Sequence, residues 1–436
     1  MPALTELRLN RRELLGRGAL GGLGLGLAGF PAQALVAAAA ARDFPAIKAL
    51  LDGLVDSGKL PGAVASIGFG DQPPQFITRG KLAFGDAPDM TPDTLFRIYS
   101  MTKVVTGMAA MELIERGRLR LDQPIADFLP AFGQMQVLLS PHAPLDQVRP
   151  ARTQITVRHL LTHTAGLGYT IIQHGPIQQA YLAAGLGAGR LSRHPLPGTP
   201  ATPAQAPSLA AFADRLAALP LVYEPGTQWS YSVGLDLLGR VIELASGKSF
   251  DRFLQETIFG PCGMADTAFH VPGAKAARLA TNYGIKDGKA LPIDPGASSV
   301  YLEPPAVAFG GSGLVSTPRD YDKFMAMLVA GGRSGRRRVL GRGAVQQGGK
   351  NLVPSGAITA GSFVDSAGNG AGARAGIGTK TGVIGWSGAA GTVFRVDLAR
   401  GIRVACYTQY MPSEAYAIYD TYPAAAATDL AAPQLI

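Results

Sequence analysis

Apolar residues recur with helical spacing through the middle of the chain and with strand-like spacing at its two ends. Ile47, Leu50, Leu51 and Leu54 predict a helix over Phe44 to Val55. Ala63 to Phe69 reads as a strand, and Gln75 to Thr78 as its hairpin partner across Gly70 to Pro74. From Val104 to Met111 apolar residues cover nearly every side, the pattern of a helix buried in the core. Arg116-Gly117 ends that helix with a basic last turn and a glycine stop. Leu121 to Pro124 opens a short helix that Leu129-Pro130 closes, and Ile155 to Leu167 starts strand-like and turns into another. Further helices are expected at Ser208–Leu219, Leu235–Leu244, Phe250–Phe259 and Asp320–Leu328. The period then changes. Ala389–Val396 and Ile402–Thr408 are β-rich runs joined by a hairpin at Asp397–Gly401. Strands at both ends predict one antiparallel sheet built from the two termini, with a mainly helical lobe inserted over roughly residues 120–300. The fold class expected is α/β, of the α+β type. The stretch from Gly185 to Pro207 is rich in Gly, Pro, Ala and Thr without a period, and reads as an insertion or lid.

Composition agrees with a well-buried globular chain. Of 436 residues, 47% are hydrophobic and 16% charged. The net charge of +9 is scattered apart from Arg333, Arg336, Arg337, Arg338 and Arg342. With no interleaved aromatics and no accompanying motif, those arginines read as a solvated turn, and no nucleic-acid partner is expected. At the N-terminus, Arg11-Arg12 precedes a Gly- and Ala-rich run without charge from Gly18 to Ala41, with Ala32-Gln33-Ala34 inside it. This reads as a twin-arginine signal over residues 1–34, with an uncleaved membrane anchor as the alternative. The expectation is a periplasmic protein of residues 35–436 with no stable membrane anchor after cleavage. Cys262 and Cys406 are read as buried thiols, with a disulfide as the alternative. Neither they nor the six histidines have metal-ligand spacing, so no metal and no cofactor is expected.

Candidate chemistry begins at Ser100-Met101-Thr102-Lys103, which opens the buried helix. Residues three apart share a helix face, so Lys103 can reach the Ser100 hydroxyl. A desolvated lysine gives up its proton more readily than one in water and can act as a base. The first helical turn also presents unpaired N–H groups to developing negative charge. His163, between two threonines in a leucine-rich turn, is read as a satisfied core residue rather than a catalytic one.

Four stretches together resemble the serine β-lactamase and penicillin-recognising superfamily, and within it the class C-like, family VIII carboxylesterases. They are Ser100-x-x-Lys103, Ile155 to Leu167, Pro225-Gly226-Thr227 through Tyr231-Ser232-Val233, and Gly385 to Thr392. The likeness runs from about Phe44 to Gln409. It implies Ser100 as nucleophile and Lys103 with Tyr231 as general base. It also implies an oxyanion hole from the backbone N–H groups of Ser100 and Ala389, and a substrate-bordering edge strand at Trp386-Ser387-Gly388. Val233 stands where the lactamases have Asn, and Trp386 where they have the Lys of Lys-Thr-Gly. Both changes remove polar recognition of a lactam or peptide. The reaction implied is therefore hydrolysis of short-chain carboxylic esters through an acyl-enzyme. β-Lactamase or D-amino-acid peptidase activity, and a non-catalytic binding role, are the alternatives. Lys380-Thr381-Gly382 spells the lactamase triplet in a Gly-rich segment, where it reads as loop. An α/β-hydrolase triad fails on chain order, because the last histidine, His270, precedes Gly385-Trp386-Ser387-Gly388-Ala389. The partner expected is a small ester or β-lactam substrate, and oligomeric state is not legible.

Overall fold

The computed structural model describes residues 43–187, 189–193 and 205–436. The expected signal and most of the Gly185–Pro207 insertion lie outside the described residues. Seven strands form the main sheet: β1 (Gly62–Phe69), β2 (Gln75–Gly80), β3 (Gly368–Asn369), β4 (Arg374–Ala375), β5 (Val383–Gly388), β6 (Thr392–Asp397) and β7 (Ile402–Tyr407). Their order is β3-β4-β5-β6-β7-β1-β2, antiparallel throughout. The N-terminal hairpin is thus joined to the C-terminal strands by the β1–β7 pairing, Val64 opposite Tyr407.

Both faces of the sheet are covered, which is why β1 and β7 are buried along their whole length. Five helices matter for the site: α1 (Pro45–Asp56), α2 (Thr102–Glu115), α3 (Gly234–Ser246), α4 (Pro318–Val329) and α5 (Ile418–Leu430). Ile402, Val404 and Cys406 of β7 pack with Ile47 and Leu51 of α1 and Ile418 and Tyr422 of α5. The intervening Ala405 and Tyr407 join the other core, with Tyr321, Phe324 and Met325 of α4 and Met108 and Met111 of α2. Arg403 falls among these apolar positions. Its guanidinium is satisfied by Asp322 at 2.8 Å and by the Gly70 and Gln72 carbonyls at 2.7 and 2.6 Å. From Thr102 to Leu113 every residue of α2 is buried, as its uniform apolarity predicts.

Several local expectations are corrected. Ser100 lies in a 3-10 turn, Tyr99–Met101, just ahead of α2. Ala389 to Gly391 form the turn between β5 and β6 rather than the start of a strand. Strand β5 is not an edge strand along its length, because β4 pairs with Ile384 and Gly385, but its tip, Trp386–Gly388, extends beyond that pairing. The Gly368–Gly382 segment holds β3 and β4 as well as loop. The expected Phe250–Phe259 helix widens into a π-helical turn at Gln255–Phe259. Helix α5 was not expected, since Pro423 and an alanine run give it little amphipathic signal. Cys262 and Cys406 are free and buried.

Candidate active site

The centre of the site is a strained turn. Tyr99 adopts φ 39°, a left-handed conformation that costs a bulky residue energy and persists only where the surroundings enforce it. Its ring is buried edge-on against Tyr301, with centroids 6.4 Å apart. Ser100 follows at once, and Lys103 lies one turn further on. Lys103 is fully buried, and its Nζ donates to Ser100 Oγ at 3.3 Å and to the Gly311 carbonyl at 2.7 Å.

Tyr231 comes from the chain just ahead of α3. Its hydroxyl donates to Ser100 Oγ at 2.8 Å. Lys103 Nζ lies 4.5 Å from the centroid of the same ring, and the Trp386 indole N–H donates to the Tyr231 hydroxyl at 3.3 Å. The ammonium therefore lies over the face of the ring, while the indole N–H meets its hydroxyl. Trp229 stacks on the Tyr231 ring at 6.0 Å, and Phe363, about half exposed, meets it edge-on at 5.6 Å. The mouth of the site is thus aromatic.

The tip of β5 reaches the Ser100 turn by close backbone contact. A Cβ on Gly388 would lie 2.2 Å from the Ile98 carbonyl oxygen, so only glycine fits there. The next residue, Ala389, is exposed beside it. The structure therefore brings together Ser100, Lys103, Tyr231 and Trp386 by hydrogen bonds, with Gly388 against the turn and Ser387 and Ala389 beside it. Lys380 lies elsewhere. It ends a 3-10 turn, Gly378–Lys380, and its exposed ammonium binds the Ile436 carbonyl oxygen at 2.9 Å.

Two further groups lie near the site, of which Asp236 was not anticipated and His163 was expected only as a core residue. Asp236, buried in the first turn of α3, accepts the Gly311 N–H at 2.7 Å, while the Gly311 carbonyl accepts Lys103. Burial pushes the Asp236 carboxyl up to about 6, and Lys103 and the Gly311 N–H pull the other way. An aspartate inside Leu235-Asp-Leu-Leu was the available signal. His163 is the second. It is buried, as expected, but only half satisfied: its Nδ1 accepts the Ser232 N–H, while its Nε2 has no hydrogen-bond partner among the described residues, and its ring is 4.7 Å from that of Tyr231. Burial first, and Lys103 second, hold it well below the usual imidazole range, so it stays neutral.

The Beta-lactamase family model matches residues 47–429. This chain belongs to the Beta-lactamase family. It is thereby a member of a family of serine hydrolases with the β-lactamase-like fold. Protein Rv1367c of Mycobacterium tuberculosis is 35% identical over 285 residues, covering 65% of this chain and 66% of that protein. Esterase EstB of Burkholderia gladioli is 31% identical over 256 residues, covering 55% of this chain and 58% of that one. The chain therefore aligns with less than two-thirds of the length of these relatives. Among solved structures, EstCE1, described as a hydrolase with promiscuous acyltransferase activity, superposes with a TM-score of 0.69 at 23% identity, over 92% of this chain and 99% of that one. That likeness is one of fold.

Proposed function

We propose that this family member hydrolyses short-chain carboxylic esters through an acyl-enzyme on Ser100. The observation that carries the reading is the convergence of the Tyr231 hydroxyl, at 2.8 Å, and the Lys103 ammonium, at 3.3 Å, on Ser100 Oγ. In this mechanism the Lys103–Tyr231 pair takes the serine proton as Oγ attacks the ester carbonyl. The backbone N–H groups of Ser100 and Ala389 receive the oxyanion, a contribution of about 3 kcal/mol per donor. The phenol returns the proton to the leaving alcohol, and water hydrolyses the acyl-enzyme. Trp386, Ser387 and Gly388 border the substrate.

Neutral esters fit this site better than β-lactams or D-amino-acid peptides. The place next to Tyr231 is taken by an indole instead of an ammonium, and Lys380 is held at the surface by Ile436. The half-exposed Phe363 adds apolar area for an acyl chain. A second reading, transfer of the acyl group to an alcohol in place of water, is supported by the acyltransferase activity named for EstCE1. Export by a twin-arginine signal to the periplasm belongs to the same proposal.

The test is turnover of p-nitrophenyl acetate and butyrate by wild type and Ser100→Ala, with fluorophosphonate labelling to locate the nucleophile. Loss of more than about a thousandfold in kcat, with unchanged melting, is expected. Tyr231→Phe should lose most of the activity. Equal rates in wild type and Ser100→Ala would overturn the reading, and a large preference for a chromogenic cephalosporin would replace it with the β-lactamase one. Neither ester turnover nor labelling would leave the binding role. Formation of a new ester on adding a simple alcohol would establish the transfer reaction.

A further inference from the structure

Tyr419 makes no hydrogen bond to Ser100, Lys103 or Tyr231 among the described residues, yet it holds the backbone that this reading uses. It lies in the first turn of α5, which the chain enters through Ala417 at φ 48°, another left-handed residue. Its hydroxyl donates to the Gly388 carbonyl at 2.6 Å. That carbonyl and the Ala389 N–H belong to one planar peptide. We propose that the Tyr419 hydroxyl positions this peptide, and so aims the Ala389 N–H at the oxyanion. The inference rests on the assignment of Ser100 as nucleophile and Ala389 as oxyanion donor.

Three observations carry it. First, the peptide is clamped from two sides. Gly388 lies against the Ile98 carbonyl, where a Cβ would approach to 2.2 Å, and Tyr419 binds its own carbonyl. Second, the phenol is oriented. Its hydroxyl donates to the Gly388 carbonyl at 2.6 Å, a short bond that fixes the direction of the phenolic proton. Burial raises the phenol above its ordinary range, so it remains a donor. Third, the Ala389 N–H has no backbone acceptor among the described residues. It is therefore available to a ligand, and a hydrogen bond accepted by the carbonyl of its peptide makes it a stronger donor. Without the hydroxyl, Gly388 keeps its pairing with Thr392 and its approach to Ile98, but the carbonyl of the Gly388–Ala389 peptide loses its hydrogen bond and the peptide can tilt where the β5–β6 turn begins. The effect belongs to the tetrahedral state, where the carbonyl oxygen becomes negative, and not to binding of the neutral ester.

The experiment compares wild type, Tyr419→Phe and Tyr419→His as full-length proteins. Phe removes the donor and keeps the ring, and His restores a ring N–H. Each is assayed for kcat and KM with p-nitrophenyl butyrate, and for inhibition by phenylboronic acid, which forms a tetrahedral adduct with the serine. The expected result for Tyr419→Phe is a fall of about tenfold in kcat, KM within twofold, and boronate affinity weakened by a similar factor. Tyr419→His should recover part of both. Wild-type kcat in Tyr419→Phe would overturn the proposal. So would loss of activity without loss of boronate affinity, since that outcome reports general disruption. Should Tyr419→Phe fail to fold, wild-type values in Tyr419→His would support the proposal, and lost activity with unchanged boronate affinity would overturn it. Failure of fluorophosphonate to label Ser100 in wild type would instead sink the underlying reading.

Discussion

Tyr231 is held from both sides by one histidine. The His163 carbonyl accepts the Ser230 N–H at 2.9 Å, and its Nδ1 accepts the Ser232 N–H at 3.3 Å. His163 itself sits at φ 56°, where Asn is tolerated and β-branched residues are not. Asn also offers an amide oxygen close to the position of Nδ1. His163→Asn is therefore expected to keep kcat within about fivefold, while His163→Val loses both the acceptor and the allowed backbone, costing about 2 to 4 kcal/mol. Urea unfolding and kcat of the two variants check this. Asp236 offers a pH test of opposite sign to that of a buried histidine. Its folded pKa, about 6, lies above the ordinary 3.8. Between those values the native state holds a proton that the unfolded chain has released, so the stability due to this group falls as pH rises and levels out above about 6. His159, lowered by burial to about 4, works the other way, losing stability as pH falls below 6.5. It is common to wild type and variant and cancels. Asp236→Asn, whose amide oxygen can still accept the Gly311 N–H, should gain on wild type between pH 4 and pH 7, by about 3 kcal/mol at most. A gain independent of pH would show that the carboxyl titrates normally.

At the scale of elements, α2 illustrates packing overriding propensity. Gly107 lies in the middle of this helix, where alanine normally adds about 1 kcal/mol. Here a Cβ would sit 2.1 Å from the Ala371 carbonyl oxygen. Backbone cannot give way as a flexible side chain can, so Gly107→Ala should destabilise by about 1 to 3 kcal/mol despite the better propensity. A raised melting temperature would contradict the close approach. The sequence displayed α2, α3 and α4 clearly because their apolar faces are local patterns, and it displayed β1 and β7 because both are buried and β-rich. It did not display α5. That helix contains Pro423 and four consecutive alanines, and it is stabilised by packing of Ile418, Tyr422 and Leu430 against α1 and the sheet. The β5–β6 turn was missed for a similar reason, since Ala389-Ala390-Gly391 has the composition of a strand end and a turn alike.

For the whole molecule, the legible part of the site was the part written in short motifs. Ser100 and Lys103 are three residues apart, and Tyr231 and Trp386 lie in stretches that resemble family motifs. Asp236, His163 and Tyr419 reach the site through contacts between segments far apart in sequence, such as the 31 residues separating Tyr419 from Gly388. Arg97 is the most extended of these links. It precedes the strained Tyr99 turn by two residues and is completely buried, as is Asp294. Its Nε donates to Asp294 at 2.6 Å, and its other nitrogens reach the Ala280 carbonyl at 2.6 Å, the Ser299 hydroxyl at 2.9 Å and the Gln409 side chain at 3.1 Å. One guanidinium thus joins the strand before the Ser100 turn to residues 280–299 and to the chain leaving β7. Arg97→Met would leave the Asp294 carboxylate buried without its cation, which typically costs about 3 to 5 kcal/mol. For a chain of this size that corresponds to a fall in melting temperature of about 5 °C. Removing both charges, in Arg97→Met with Asp294→Leu, should restore much of the stability, because the penalty lies in the orphaned charge more than in the lost pair. Ester turnover is expected to follow a different course. The double variant lacks the bonds that hold the approach to Tyr99, so kcat should stay low even where melting recovers. Recovery of both together would mean that Arg97 supports the fold alone and that the Tyr99 turn is held by the packing of its own ring.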